Sequence, residues 1–421
     1  MSGDNLPDES DKQMAALGIL STIISLLLSF ENSVEIVKSL EQSFYSAAEF
    51  ILNNQLDDFY REVCEFFENS TFLLREITPV TWKVLELIGE CNRKEDNMIA
   101  YFLEDFMLIF NNIFVYGSAE LQKNNFYCKI LYEIYGNTHI DQDSDFDEIN
   151  TIFDYSQKLI LTLGTQVPVE LRNSILQNAI TTIVVNKGDL KKHLIFGVTT
   201  FNTIIASIVS APFETIHFVY DISALPLFFD IWLTSYAPNY KRVYDIKLSI
   251  MALLNIIGQV QPEQFSQMSL ESVVPSLGSA LVQLICKYPQ AELELKNKRK
   301  EFTAGALEDS TQYAWNDTVE LNDDQYDEEA TTEDAVFENY LEMMKKDNGV
   351  DFVDGLTFND DETFDDLEED PLTKSILDDI DITSVFKSSM GQLPSSNGNV
   401  YQAAFSNVST EEQTKLSQLM G

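Results

Sequence analysis

Between Glu301 and Asp381 the chain carries 28 aspartates and glutamates against three lysines, Lys345, Lys346 and Lys374. That leaves 25 of the 41 net negative charges of this 421-residue chain in under a fifth of its length. Repulsion on this scale opposes a packed core, so the stretch is expected to be a largely disordered arm. The fold has to be built from what flanks it. The acidic runs are interleaved with Phe352, Phe358, Phe364 and Leu367. Hydrophobes held in water among carboxylates suit capture of a basic or partly apolar surface; the plainer reading is a solubilising tail.

Before residue 300 the apolar residues recur at helical spacing, and no convincing run of alternating strands appears. Ser10 or Asp11 can cap a helix running to about Phe30, and Ser33 can start a second through Leu52 with Ile36, Leu40, Phe44, Ala47 and Ile51 on one face. In a third, Leu56, Phe59, Tyr60, Val63 and Phe67 point inward. Thr78-Pro79 reads as a cap followed by proline at the first helical position, ahead of Trp82, Leu85 and Ile88. Asn97 to Phe114 carries the widest apolar stripe, and Gly117-Ser118 breaks it before another helix to Tyr135. Further helices are expected near 149–163, 168–186, 191–210, 212–220, 225–236, 240–258 and 273–288, with Pro289 ending or kinking the last.

Helices of roughly 12–20 residues, paired about every 40 residues, predict an all-α, HEAT-repeat-like α-solenoid. The expected organisation is a flexible N-terminus over 1–10 and a helical array over 11–302. An acidic arm over 303–383 follows, with a short helix near 333–346. The tail, 384–421, is expected to hold two short helices, around Val385–Met390 and Ser409–Met420, with a polar break at Pro394–Asn399.

The two long uncharged runs, Gln13–Phe30 and Leu194–Phe213, carry enough Ser, Thr, Gln and Asn to read as core helices of an aqueous protein and not as membrane spans. The acidic start (Asp4, Asp8, Glu9, Asp11) has the wrong sign for a secretory or transit leader, so a soluble intracellular protein is expected. A pI near 4.2 argues against direct binding to nucleic acid and for basic partners. The four cysteines (Cys64, Cys91, Cys128, Cys286) have neither metal-ligand nor redox spacing and read as buried free thiols.

Signals for catalysis are absent. His139, His193 and His217 are scattered, and there is no phosphate-cradling glycine loop, nucleophile elbow or zincin helix. The run Asp141–Glu148 resembles half a calcium loop but lacks its central glycine and terminal glutamate. No catalytic residue, cofactor or metal is expected, and the chain does not read as an enzyme. The basic cluster Lys296, Lys298, Arg299 and Lys300 is expected to complement a helix C-terminus and to pair with the acidic residues downstream.

Several stretches resemble one family. Met14 through Ile23, then Phe59-Tyr60 and Ile77 through Trp82, are similar to the later HEAT repeats of importin-beta (karyopherin-beta) receptors, and most resemble the subgroup of importins seven and eight and their fungal counterparts. Tyr340-Leu341-Glu342, the acidic stretch, Val385-Phe386-Lys387, Tyr401-Gln402-Ala403 and Glu411-Glu412-Gln413 follow that subgroup's C-terminal layout in order. The resemblance implies the C-terminal half of a Ran-dependent nuclear import receptor that shuttles between cytoplasm and nucleus. It implies basic cargo such as ribosomal or RNA-binding proteins, and contact with phenylalanine-glycine nucleoporins. It also implies Ran binding mainly through N-terminal repeats without a counterpart here.

Both lines converge on the acidic stretch as the cargo contact. The candidate residues are Asp323, Asp324, Asp327, Glu328, Glu329, Asp360, Asp361, Glu362, Asp365, Asp366, Glu368, Glu369 and Asp370. The alternative is a helical scaffold or adaptor without transport activity. Neither reading needs a membrane or direct nucleic-acid contact.

Overall fold

The computed structural model describes residues 9–309 and 364–420, apart from 97, 142, 143, 189, 191, 365, 366 and 368. The helix expected near 333–346 and most of the acidic stretch lie outside the described residues. Among the described residues all regular structure is helical, with no strand.

Helices α1 (Glu9–Leu28), α3 (Tyr60–Leu74), α5 (Leu103–Tyr116), α8 (Phe146–Leu163), α10 (Leu194–Ser210), α13 (Val243–Gln259) and α15 (Val274–Asp309) stack each on the next and form one layer. The second layer holds α2 (Val34–Asn53), α4 (Pro79–Asn92), α7 (Asn125–Gly136), α9 (Val169–Val185) and α11 (Pro212–Asp221). Short helices α6 (Ser118–Leu121), α12 (Leu225–Ile231) and α14 (Pro262–Gln267) fill the connections. Each chain segment crosses from one layer to the other and back, as a HEAT-like array requires.

The repeat, faint in the sequence, is plain in the hydrogen bonds between units. In the first layer Arg61 Nη1 donates to Asp105 Oδ1 (3.2 Å), Asn112 Nδ2 to Glu68 O (2.9 Å) and Lys158 Nζ to Asn111 Oδ1 (2.7 Å). In the second, Arg93 Nε donates to Glu133 Oε2 (2.7 Å), Tyr127 Oη to Glu86 Oε1 (3.2 Å) and Asn178 Nδ2 to Tyr135 Oη (3.1 Å). Every one of these joins residues 40 to 47 apart, the length of one HEAT-type unit. Between the layers runs a single apolar core, where Phe66, Phe106, Phe110, Ile113, Phe153, Phe201 and Ile250 are wholly shielded.

Local chemistry sets several boundaries as expected. Thr78 Oγ1 accepts from Thr81 N (3.2 Å) ahead of Pro79, capping α4. The acidic run at 141–148 is used the same way: Asp145 Oδ1 accepts from Glu148 N (2.8 Å) at the start of α8, and Asp141 Oδ1 accepts from Ser144 N (3.1 Å).

Five expectations are corrected. The inward face of α2 is turned by about one residue, with Val37, Glu41, Phe44, Ala48, Ile51 and Leu52 buried while Ile36 is 41% exposed. A carboxylate causes the turn, because Glu41 points into the core and accepts from the hydroxyls of Ser70, Thr78 (2.7 Å) and Thr81 (3.3 Å). Helix α1 is not a core helix: Met14 and Ile19 are more than 60% exposed, since α1 packs on α3 from one side only. It is also the one described helix long and apolar enough to cross a membrane by length and composition. Cys286 is half-buried and not enclosed like the other three thiols, because it lies on the flank of α15.

Pro289 does not end α15, which continues to Asp309. Tyr288, Ala291 and Leu295 stay buried on both sides of the proline, which offsets the missing backbone hydrogen bond. The tail forms three helices, α16 (Ile382–Ser396), α17 (Gly398–Ala404) and α18 (Thr410–Met420). Its break falls at Asn397, whose side chain is claimed by α13: Nδ2 donates to Ile257 O (2.9 Å) and Val260 O (2.8 Å).

Candidate partner-binding face

The first layer presents polar side chains of α5, α8, α10, α13 and α15 to one side, and a polar shelf forms there. Arg242, just before α13, holds Asp245 with two bonds, Nε to Oδ2 (2.7 Å) and Nη2 to Oδ1 (3.0 Å). Asn202 on α10 donates to the same Asp245 Oδ1 (2.8 Å). Tyr244 Oη donates to Gln157 Oε1 on α8 (3.1 Å), and Lys158 bridges Asn111 and Asp154. Asp245 is 1% exposed, and the guanidinium fork gives this buried side chain a bidentate partner. Burial acts to lower the Arg242 pKa, and the neighbouring Asp245 more than offsets it, so the guanidinium's pKa is raised.

Onto this shelf folds the segment from Glu369 to Asp381. Glu369 Oε2 accepts from Val243 N (2.7 Å), the first amide of α13. Helix α13 has no side-chain cap of its own, so a carboxylate 126 residues away in sequence supplies one where the helix dipole favours it. Burial pushes the Glu369 carboxyl above its usual range, aided by Asp245 and opposed by the Val243 amide. Lys247, 4% exposed, donates all three of its protons to backbone carbonyls, of Leu377 (2.9 Å), Asp378 (3.1 Å) and Ile380 (2.9 Å). Burial lowers the ammonium pKa, and Asp378 opposes that. Arg299 on α15 donates to Pro371 O (3.2 Å), Thr373 O (3.3 Å) and Asp378 Oδ2 (2.8 Å).

Of the thirteen acidic residues picked out in the sequence, Asp323, Asp324, Asp327, Glu328, Glu329, Asp360, Asp361, Glu362, Asp365, Asp366 and Glu368 lie outside the described residues. Glu369 is half-buried against α13, and Asp370 is exposed while accepting from Leu372 N (2.8 Å) and from the Thr373 hydroxyl. The two are therefore on the body. Of the basic cluster, Arg299 reaches the acidic segment and Lys296 pairs with Glu292 (3.0 Å) on its own helix. The anchors Arg242, Asp245 and Lys247 were missed. The one signal for them was a lysine between Ile246 and Leu248 in an otherwise apolar helix.

Among the described residues no three of His, Cys, Asp and Glu gather at metal-binding distance. His217 pairs with Asp221 (3.0 Å) along α11, and His193 packs on Phe146.

No protein-family model matches the chain, and no solved structure matches it. Curated proteins do. Nonsense-mediated mRNA decay protein 5 of Saccharomyces cerevisiae is 50% identical over 411 residues, which is 97% of this chain and 39% of that protein. A probable importin of Encephalitozoon cuniculi is 25% identical over 295 residues, 69% of this chain and 30% of that protein. Importin-8 of Mus musculus is 26% identical over 132 residues, 31% of this chain and 13% of that protein. The chain thus spans well under half the length of the relatives it matches. The expected placement with importins seven and eight is corrected by these figures. Importin-8 matches over 132 residues only, whereas the Saccharomyces protein matches almost throughout.

Proposed function

We propose that this chain is part of a nuclear import receptor that binds basic cargo proteins, ribosomal or RNA-binding proteins among them, and moves them through nuclear pores under control of Ran. The observation that carries the reading is the two-layered HEAT-like array joined to a stretch of 25 excess negative charges. It is supported by similarity to proteins named as importins. An array whose units touch mainly their neighbours flexes and wraps a large partner. Clustered carboxylates raise the encounter rate with a basic protein and shield its charge. The cargo contact is assigned to Asp323 through Glu329 and Asp360 through Asp370, with Glu369 serving the body instead. Phenylalanine-glycine nucleoporins complete the set of partners, and the site of action is the cytoplasm, the nucleus and the pore between them.

The test is a pull-down with a core histone and a ribosomal protein as basic probes, comparing the native chain with one whose acidic residues at 323–329 and 360–362 are replaced by Asn and Gln. Binding by the native chain should fall steeply between low and physiological salt. The neutralised chain should bind at least about tenfold more weakly. Equal affinity would remove the acidic stretch as the contact. Failure of the native chain to bind phenylalanine-glycine repeats would favour a scaffold without transport activity.

A further inference from the structure

In a stacked array each unit contacts its neighbours, so the whole can bend as a spring. The segment 369–381 breaks that rule. At one end of the block the Lys374 ammonium lies 5.9 Å from the centre of the Tyr116 ring on α5, and at the other Arg299 of α15 grips Pro371, Thr373 and Asp378. Helices α8, α10 and α13 separate α5 from α15 in the stack. One short piece of chain therefore ties together helices that do not otherwise meet, and Lys247 in α13 holds it from below.

Its grip is polar. Leu377, 2% exposed, is the one fully buried apolar side chain within 369–381; Ile376 and Ile380 are half-buried against the core, and Leu372 is 49% exposed. The other bonds join cations to carbonyls and carboxylates, which water satisfies nearly as well once they part. Beneath the segment lies a cavity of about 300 Å³, bounded by Asn111, Lys158 and Asn202 on one side and Thr373 and Ile376 on the other. Asn202 Oδ1 is buried there without a hydrogen-bond partner. The segment carries five carboxylates, Glu369, Asp370, Asp378, Asp379 and Asp381, and the shelf under it holds Lys158, Arg242, Lys247 and Arg299 beside Asp154 and Asp245. Such an underfilled, largely polar fit favours a contact made to be undone over a piece of permanent core.

We propose that residues 369–381 are a detachable latch that holds α5 and α15 at a fixed separation, so that its release lets the array open and uncovers the shelf of Asn111, Lys158 and Asn202. Lys247 is the catch. The chain is docked on both sides, through Leu367 before the latch and through Ile382, Phe386 and Asn397 after it, so the released latch bows out between two fixed points. The inference concerns the mechanics of the fold and stands whether or not the chain serves nuclear import.

Two variants of the full chain test it, Lys247→Met on the array and Leu377→Asp on the latch. Amide hydrogen exchange over 373–380 should quicken by about a hundredfold in both, on loss of several charge-assisted bonds or of the most deeply buried apolar anchor, with α8 and α10 unchanged. Spin labels at Glu104→Cys on α5 and Gln290→Cys on α15 should give a broader, longer distance distribution in both variants than in the parent. Unaltered exchange over 373–380 in a folded variant would overturn the proposal, as would a freed segment with an unaltered distance distribution. If Lys247→Met disturbs α13 itself, Leu377→Asp decides alone, since that side chain belongs to the latch.

Discussion

Replacing Gly278 by alanine sets two opposed effects against each other, and their sizes decide the sign. Gly278 lies inside α15, where alanine is favoured over glycine by about 1 kcal/mol in a helix interior. An added Cβ, however, would lie 1.9 Å from the carbonyl oxygen of Ala404 and 2.5 Å from its carbonyl carbon. The obstacle is backbone, so no side-chain rotation relieves it, and α17 has to retreat. Ordinary packing distances of about 3.5 Å put that retreat above 1 Å. Overpacking of this kind costs about 1–3 kcal/mol, and the retreat also uncovers Val400 and Ala404, which are 3% and 0% exposed. At about 1.5–3 kcal/mol for a fully buried aliphatic side chain, even half-loss of Val400 outweighs the gain in helix propensity. The expected result is a tail loosened by about 1–3 kcal/mol, read as exchange over 398–420 quickened by about 5- to 150-fold while α13 stays protected. In a chain ending at Ser396 the obstacle is gone and the same substitution should stabilise. A Gly278→Ala variant whose tail exchanges at the parental rate, or one that loses stability in the shortened chain too, would refute the close-approach argument.

Three further outcomes follow from buried polar groups. Burial, reinforced by Glu65 and Asp370, raises the Glu68 carboxyl to about 7 from an ordinary 4.5. The folded chain therefore holds that proton more tightly than the unfolded one, and stability is lost as pH rises from about 4.5 through 7. Glu68→Gln should leave stability near parental at pH 4.5 and raise it by about 1–2 kcal/mol at pH 8, allowing for partial exposure; urea titrations at the two pH values read the difference. Thr78→Val removes both the α4 cap and a bond to the buried Glu41, so local stability around α2–α4 should drop by about 2–4 kcal/mol by native-state exchange. Asn397→Ala frees Ile257 O and Val260 O and should loosen α16 and α17 by about 1–3 kcal/mol in the same measurement, with α5 untouched.

Much of the array was legible because each helix carries its own period and punctuation. In α13, expected over 240–258, the residues Val243, Ile246, Ile250, Leu253, Leu254 and Ile257 recur at helical spacing and are all buried. Thr78-Pro79 capped α4 as expected. The misreadings share one cause, a polar or constrained residue whose partner lies in another helix. Apolar spacing placed Ile36 inside, and hydroxyls from α3 and from the start of α4 drew Glu41 in instead. Asn397 ended a helix for the sake of carbonyls on α13, and apolar neighbours on both sides carried α15 through Pro289.

The amino-acid order alone determined that the chain is helical, paired at HEAT-like intervals and split into an apolar body and an acidic stretch. Those properties depend on residues three or four apart, or on charge simply summed along the chain. Only the tertiary structure decided that Glu369 caps α13 and that Lys247 holds the carbonyls of 377, 378 and 380. A lysine within an apolar stripe reads the same whether it faces water or three oxygens brought in from 130 residues away. Which of these it faces is settled by how the stacked helices position it, and no local pattern records that.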